Sequence, residues 1–178
     1  MPGDRIRHGK SGCAILGRIG GAMAEKVLTV DDILTIKGRK VVIVAPDATI
    51  TEAARVLAER RIGIVVVSDS AGQLRGVLSE RDVVRAVGSH GKMAPTMRVE
   101  ELMSRNVVTC EPHTPAQEAL KVMNERRFRH IPVAEEGKVV GLISITDLHK
   151  HLLDQYALDA AALTRADDEG MPIRGEES

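Results

Sequence analysis

The sequence predicts an α/β (α+β) fold built from two tandem β-α-β-β-α units, and three observations carry that prediction. The stretch Gly76-Val77-Leu78-Ser79-Glu80-Arg81-Asp82 occurs again as Gly141-Leu142-Ile143-Ser144-Ile145-Thr146-Asp147, with Gly, Ser and Asp all displaced by the same interval. Upstream the match continues with the interval one position longer, pairing Pro46 with Pro112, Ala53 with Ala119, Arg60 with Arg126, Arg61 with Arg127 and Val67 with Val133. Within each copy, short apolar runs alternate with stretches of helical period, the pattern of a mixed strand and helix unit. A fixed interval kept over this length marks a duplication. The extra residue falls where Asp69-Ser70-Ala71-Gly72 in the first copy becomes Glu135-Glu136-Gly137 in the second, a change that a surface turn absorbs easily.

Taken in order, residues 1–22 are rich in Gly, Arg and small side chains without helical or strand period, and are expected to be a disordered leader. Gly9-Lys10-Ser11 resembles the end of a phosphate-binding loop, but that motif needs Gly five residues before Gly9, where Asp4 stands. The first unit spans 23–88. Thr29-Val30-Asp31-Asp32 has the form of a helix start, with Thr29 as cap and an acid three residues on, leading a short helix to Ile36. Val41 to Val44 reads as a strand, and after Pro46 the stretch Thr51 to Arg61 is an amphipathic helix with Ala53, Ala54, Val56 and Leu57 inward. Ile64 to Val67 is wholly apolar, as a buried strand is. Leu74 to Leu78 follows as a strand and Ser79 to Val87 as a helix. A linker, 89–97, carries Gly91 and Pro95. The second unit, 98–163, repeats the series: a short helix at Val99 to Met103, a strand at Val107 to Thr109, a helix at Thr114 to Arg126, strands at Ile131 to Val133 and Val139 to Ile143, and a closing helix from Ser144 to Leu163. The polar stretch 164–178, with Gly170, Pro172 and Gly175, is expected to be disordered.

Composition narrows the function. Lys+Arg and Asp+Glu both number 25, so the formal net charge is zero, and no general attraction to nucleic acid or an anionic membrane is expected. Aromatic residues are 1% of the chain, which excludes a stacking platform for single-stranded nucleic acid and leaves aliphatic side chains to hold any bound base. Cys13 and Cys110 are too few for a disulfide framework, and neither carries a catalytic pattern. No apolar run approaches the ~18 residues of a membrane helix, so a cytoplasmic protein is expected.

A tandem β-α-β-β-α unit whose last strand and helix carry Gly-apolar-apolar-Ser-x-x-Asp resembles the cystathionine β-synthase (CBS) domain family, here as one pair of repeats over about residues 28 to 155. The run Arg129-His130-Ile131-Pro132-Val133, and Asn106-Val107-Val108-Thr109 followed by Pro112 and Thr114, add to the likeness. The resemblance implies repeats packed about a pseudo-twofold axis, with two clefts that hold adenosine-containing ligands such as AMP, ADP, ATP, NAD or S-adenosylmethionine. Each cleft would take its Ser-x-x-Asp from one repeat and its first two strands largely from the other. Ser79, Arg81 and Asp82, with Thr109, Arg129 and His130, are then expected at one cleft. Ser144, Thr146 and Asp147, with Ile43 and Ile64, are expected at the other. The resemblance also implies a homodimer and a regulatory role toward another protein. An enzyme related to inosine monophosphate dehydrogenase would need a base and a nucleophile outside the repeats, and no such constellation is present.

The residues themselves allow two readings of Ser-x-x-Asp. A carboxylate at a helix start can accept both hydroxyls of a ribose, beside unpaired N–H groups that favour a phosphate. The same spacing is a capping box, in which the acid only answers the first N–H groups; on spacing alone capping is the stronger reading, and the resemblance assigns the ligand role. His149 and His151 stand two apart on a helix and so face different sides, which excludes a chelating pair. Arg81 beside Asp82 has the neutral Thr146 as counterpart, and Arg129 and His130 have Gly63 and Ile64 as theirs. The Asp82 cleft is therefore expected to be the phosphate site, and the Asp147 cleft to be poor in charge.

Overall fold

The computed structural model describes residues 27–168, with side chains described as far as Ala161; the expected leader 1–22 lies outside them. Helix α1 (Val30–Lys37) starts at Thr29, whose hydroxyl accepts from Asp32 N at 3.2 Å while Thr29 N donates to Asp32 Oδ2 at 3.0 Å. The capping box read from the sequence is therefore formed. Strand β1 (Ile43–Val44) leads to α2 (Ile50–Arg60), which has the same device in Thr49 and Glu52. Strands β2 (Ile64–Ser68) and β3 (Leu74–Ser79) form a hairpin, and α3 (Glu80–His90) closes the first unit. The expected linker is ordered: Gly91–Thr96 form a 3-10 turn with Ala94 buried, and Thr51 Oγ1 donates to Pro95 O at 2.8 Å.

The second unit runs through α4 (Val99–Leu102), α5 (Ala116–Arg126), β4 (His130–Glu135), β5 (Lys138–Ser144) and α6 (Ile145–Asp168). Helix α6 continues through 164–168, where disorder is expected from the sequence. The stretch from Ala157 to Ala166 holds five alanines and neither Gly nor Pro before Gly170, so nothing in it stops a helix. In the first sheet β1 pairs parallel with β2, and β2 antiparallel with β3. The second sheet keeps only the β4–β5 hairpin, and the strand expected at Val107 to Thr109 is reduced to bridges at Thr109 and Cys110, the latter parallel with Val133. That bridge is the repeat counterpart of the Val44–Val67 pair in the first sheet.

The two units are related by a pseudo-twofold axis, visible where the hairpin turns meet. Leu74 N donates to Gly137 O at 3.1 Å and Val139 N donates to Gly72 O at 3.3 Å, each bond being the other's counterpart under the repeat. The symmetry extends to an exchange of short helices. Val30, Ile33 and Leu34 of α1 are fully buried in the core of the second unit, among Met123, Ile131, Ile143 and Leu148. Val99 and Met103 are buried in the core of the first, among Ile50, Leu57, Val65 and Leu78. Matching backbone bonds seat them: Val30 N to Thr114 O at 2.9 Å, and Val99 N to Ala48 O at 2.8 Å. Each short helix thus precedes one repeat in sequence and packs in the core of the other. Sequence order says which helix comes before a repeat, but not which core its apolar face covers.

The exchange explains the glycine of the duplicated motif. A Cβ on Gly141 would lie 2.5 Å from Leu34 Cδ1, and one on Gly76 would lie 2.8 Å from both Met103 Sδ and Ser104 O. Each glycine lets the incoming segment cross its strand at close range.

Candidate functional site

The two Ser-x-x-Asp motifs fall where β3 gives way to α3 and β5 to α6. Ser144 N and Oγ donate to Asp147 Oδ2 at 2.9 and 2.7 Å, and Asp147 N donates back to Ser144 Oγ at 3.1 Å. Ser79 N and Oγ donate to Asp82 Oδ2 at 2.9 and 2.6 Å. The capping use of the motif is real in both units, and in both it engages the same carboxylate oxygen.

Beyond that shared box the two sites differ. Asp82 Oδ1 meets Arg85 Nη1 at 3.4 Å along its own helix. Asp147 is ion-paired through Oδ2 to Lys37 Nζ at the end of α1. Burial pushes the Asp147 carboxyl up, but the bonds from Lys37 and from Ser144 outweigh it and hold the group below the usual carboxylate range. His130 stands opposite Ser144 in the β4–β5 ladder. Burial holds its imidazole below the ordinary value; Asp147 pulls the other way, while Arg129 and Lys37 add to the lowering.

This geometry corrects the expected distribution of charge. His130 sits beside Asp147, because in a hairpin the first residue of one strand faces the last residue of the other. The strand that a cleft takes from one unit also borders that unit's own motif. Arg129 is exposed, its carbonyl accepts from Ile145 N at 2.9 Å, and no ion pair among the described residues joins it to Asp82. The Asp147 side is rich in charge, not poor.

A cleft of about 310 Å³ opens between the units on this side. Val42, Ile62, Gly63 and Ile64 come from the first unit and Leu142 from the second, forming an aliphatic wall. Lys40, Arg61 and His130 add the polar groups. Its volume is at the small end of the range of ligand pockets, about 300–1,000 Å³. Of the residues singled out in the sequence, the cleft brings together Ile64 and His130, with Asp147 and Ser144 alongside through the β4–β5 ladder. Ile43 does not line it: strand alternation turns that side chain away, leaving it 49% exposed, and puts Val42 in its place. Thr109 is buried beside the Cys110 bridge, and Arg81 and Thr146 are exposed next to their aspartates. Lys37, Lys40 and Arg61 are the functional candidates that sequence reasoning does not place. Arg61 is visible there as the partner of Arg127, but only with the pattern of a solvated helix end.

A larger groove of about 460 Å³ between α5 and α6, lined by Leu120, Leu152, Leu153 and Tyr156 among others, contains neither motif. Cys110 is 1% exposed and burial raises its thiol to about 12, so it is not a nucleophile at neutral pH. Among the described residues no three His, Cys, Asp or Glu side chains gather as a metal site would require. No helix among them is long and apolar enough to cross a membrane.

Two α+β units that exchange helices across a pseudo-twofold axis, each with a capping aspartate at the start of its closing helix, define a tandem-repeat pair. The chain belongs to the CBS domain family, whose model matches residues 30–89 and 99–154. It is 37% identical over 120 residues to the uncharacterized 17.7 kDa protein in the bps2 3' region of Acidianus ambivalens, covering 67% of this chain and 71% of that one. It is 32% identical over 158 residues to CBSCBSPB1 of Arabidopsis thaliana, of whose length it spans only 26%. Among solved structures, the CBS-domain containing protein ATU1752 from Agrobacterium tumefaciens superposes with a TM-score of 0.65 at 42% identity, over 70% of this chain and 98% of that one. The CBS domain pair of protein MJ0100, solved in complex with 5'-methylthioadenosine and S-adenosyl-L-methionine, superposes with a TM-score of 0.63 at 25% identity, over 72% of this chain and 98% of that one.

Proposed function

We propose that this CBS pair is a non-enzymatic regulatory module that binds an adenine nucleotide (AMP, ADP, ATP or NAD) between its two units and reports that ligand to a partner protein. One observation carries the reading: an aliphatic cleft between the units, flanked by a helix-start aspartate whose pKa is held low. The carboxylate stays charged at neutral pH and retains Oδ1 outside the capping box, so it can accept ribose hydroxyls without dismantling the helix start. The aliphatic walls from Val42, Ile62, Ile64 and Leu142 supply the flat apolar slot that a purine needs in a chain with almost no aromatic residues. The adenosine ligands of the MJ0100 pair support the same class of ligand.

A second reading has its own observation: both aspartates are already used as caps, as a nucleotide-independent interaction module would use them. A thermal-shift panel with AMP, ATP, NAD and S-adenosylmethionine separates the two. A ligand present at a hundredfold its Kd stabilises the native state by about 2.7 kcal/mol, so one of the four is expected to raise Tm by several degrees. No shift with any of them at millimolar concentration leaves the interaction module as the surviving function.

A further inference from the structure

We infer that the groove between α5 and α6 is the seat of the chain's own N-terminal segment, residues 22–27, as the ground between α2 and α3 is the seat of the turn Gly91–Thr96. The inference is independent of what the cleft between the units binds.

The pseudo-twofold axis relates the chain ahead of α1 to the chain ahead of α4 bond by bond. Ala116 N donates to Leu28 O as Ile50 N donates to Met97 O, each at 2.9 Å. Asp31 N donates to Pro112 O at 2.8 Å as Glu100 N donates to Pro46 O at 2.9 Å. Thr29 bridges to Pro115 as Arg98 bridges to Thr49. Leu28 packs on the second core as Met97 packs on the first. The residues just ahead of Met97 form the turn Gly91–Thr96, and under the repeat they correspond to residues 22–27. That turn packs against both α2 and α3, buries Ala94 completely, and is held by Thr51 Oγ1 donating to Pro95 O at 2.8 Å.

In the second unit the matching ground is a groove. Gln117, the counterpart of Thr51, lines it, and its Nε2 donates to Tyr156 Oη at 2.9 Å. Leu120, Leu152 and Tyr156 give it an apolar lining, with Tyr156 55% exposed. In the first unit the chain turns back after α3 at Gly91, whereas α6 passes the equivalent point, Tyr156, and continues as a helix to Asp168. The chain after α6 therefore does not fold back at that point, and the segment that reaches the groove is the one ahead of Leu28. It has no gap to span, since Leu28 is bonded to Ala116, the residue beside Gln117. Within residues 22–27, Met23 stands between Ala22 and Ala24; an unbranched thioether side chain adapts to an irregular apolar gap.

Tyr156 is the only tyrosine and tryptophan is absent, so tyrosine emission reports on this groove. Acrylamide quenching of the full chain is expected to find Tyr156 shielded. Met23→Glu, which places a charge against the apolar lining, is expected to raise the quenching constant toward that of free tyrosine while circular dichroism stays that of the folded chain. Location is read from Met23→Cys paired with Lys121→Cys, an exposed groove residue, in a Cys13→Ser background. Mild oxidation is expected to form a disulfide within one chain, at a rate that dilution does not change. A link between two chains, or shielding of Tyr156 that dilution removes, would put a second copy in the groove and overturn the inference. Equal quenching in the wild type and in Met23→Glu, or no link within the chain, would overturn it by leaving the groove without its segment.

Discussion

Gly76 and Gly141 occupy the same step of the repeat, yet their neighbours differ in how far they can yield. At Gly141 the obstacle to a Cβ is the end of the Leu34 side chain, at 2.5 Å from Cδ1; at Gly76 it includes a backbone atom, Ser104 O at 2.8 Å, in a segment held by the reciprocal bonds of Val77 and Ser104. Overpacking a well-filled core costs about 1–3 kcal/mol, so Gly76→Ala and Gly141→Ala are both expected to destabilise by amounts in that range. Gly76→Ala is expected to be the larger loss, because a side chain can rotate and a paired carbonyl cannot; urea denaturation reads the difference. His130 supplies a test in pH. Its folded-state pKa is lowered from about 6.5, so the unfolded chain binds the proton more readily than the native one. The stability that neutral His130 contributes is present above about pH 6.5 and is lost as pH falls through the folded pKa. Tm should therefore drop between pH 7.5 and 5.5, and His130→Gln should make that drop smaller. Single residues were the least legible level in the sequence. Repeat arithmetic pairs His130 with Ile64 correctly, but could not show that Lys37, far off along the chain, closes on Asp147.

The elements themselves were largely written in local signals. Thr29 with Asp32 and Ser144 with Asp147 act as the helix starts they resemble, because a capping box is settled within four residues. The strand at Val107 to Thr109 was less legible. Its three apolar or β-branched residues give a strand pattern, yet only Thr109 and the neighbouring Cys110 reach bridges; whether an extended segment pairs depends on what lies beside it. The destination of α1 was the feature that no local signal reveals, and it carries a prediction. Leu34→Ala is expected to cost about 2–5 kcal/mol, as a fully buried leucine does, with the disturbance centred in the second unit. In methyl NMR, Ile131, Ile143 and Met123 should shift more than Leu57, Val65 and Leu78, although the latter are nearer in sequence. The opposite pattern would place α1 on the first core.

Taken as a whole, the molecule leaves apolar surface where the sequence did not point. On α2 and α5, Ala53, Leu57, Ala119 and Met123 are at most 3% exposed, while Ala54, Val56, Leu120 and Val122 are half-buried. Several exposed apolar residues lie on the closing helices: Val84 at 71% and Val87 on α3, Leu153 and Leu158 at 68% and 71% on α6. Exposed apolar side chains on a helix face suit an interface, and a homodimer built on α3 and α6 is the expected state. Light scattering should then give about twice the 19.2 kDa of the chain, and Val84→Glu with Leu153→Glu should return it to one copy.

The helix exchange makes each half of the chain a donor to the other. A polypeptide ending within Gly91–Thr96 would hold α1 but not the second-unit core that α1 fills, and would lack Val99 and Met103 for its own. The remainder would face the converse lack. Neither fragment should fold when expressed alone, yet the two carry a complete and reciprocal set of parts. Mixed in equal amounts, they should reconstitute the pair non-covalently. Because each half fills part of the other's core, the duplication yields not two modules in series but a single interlocked one.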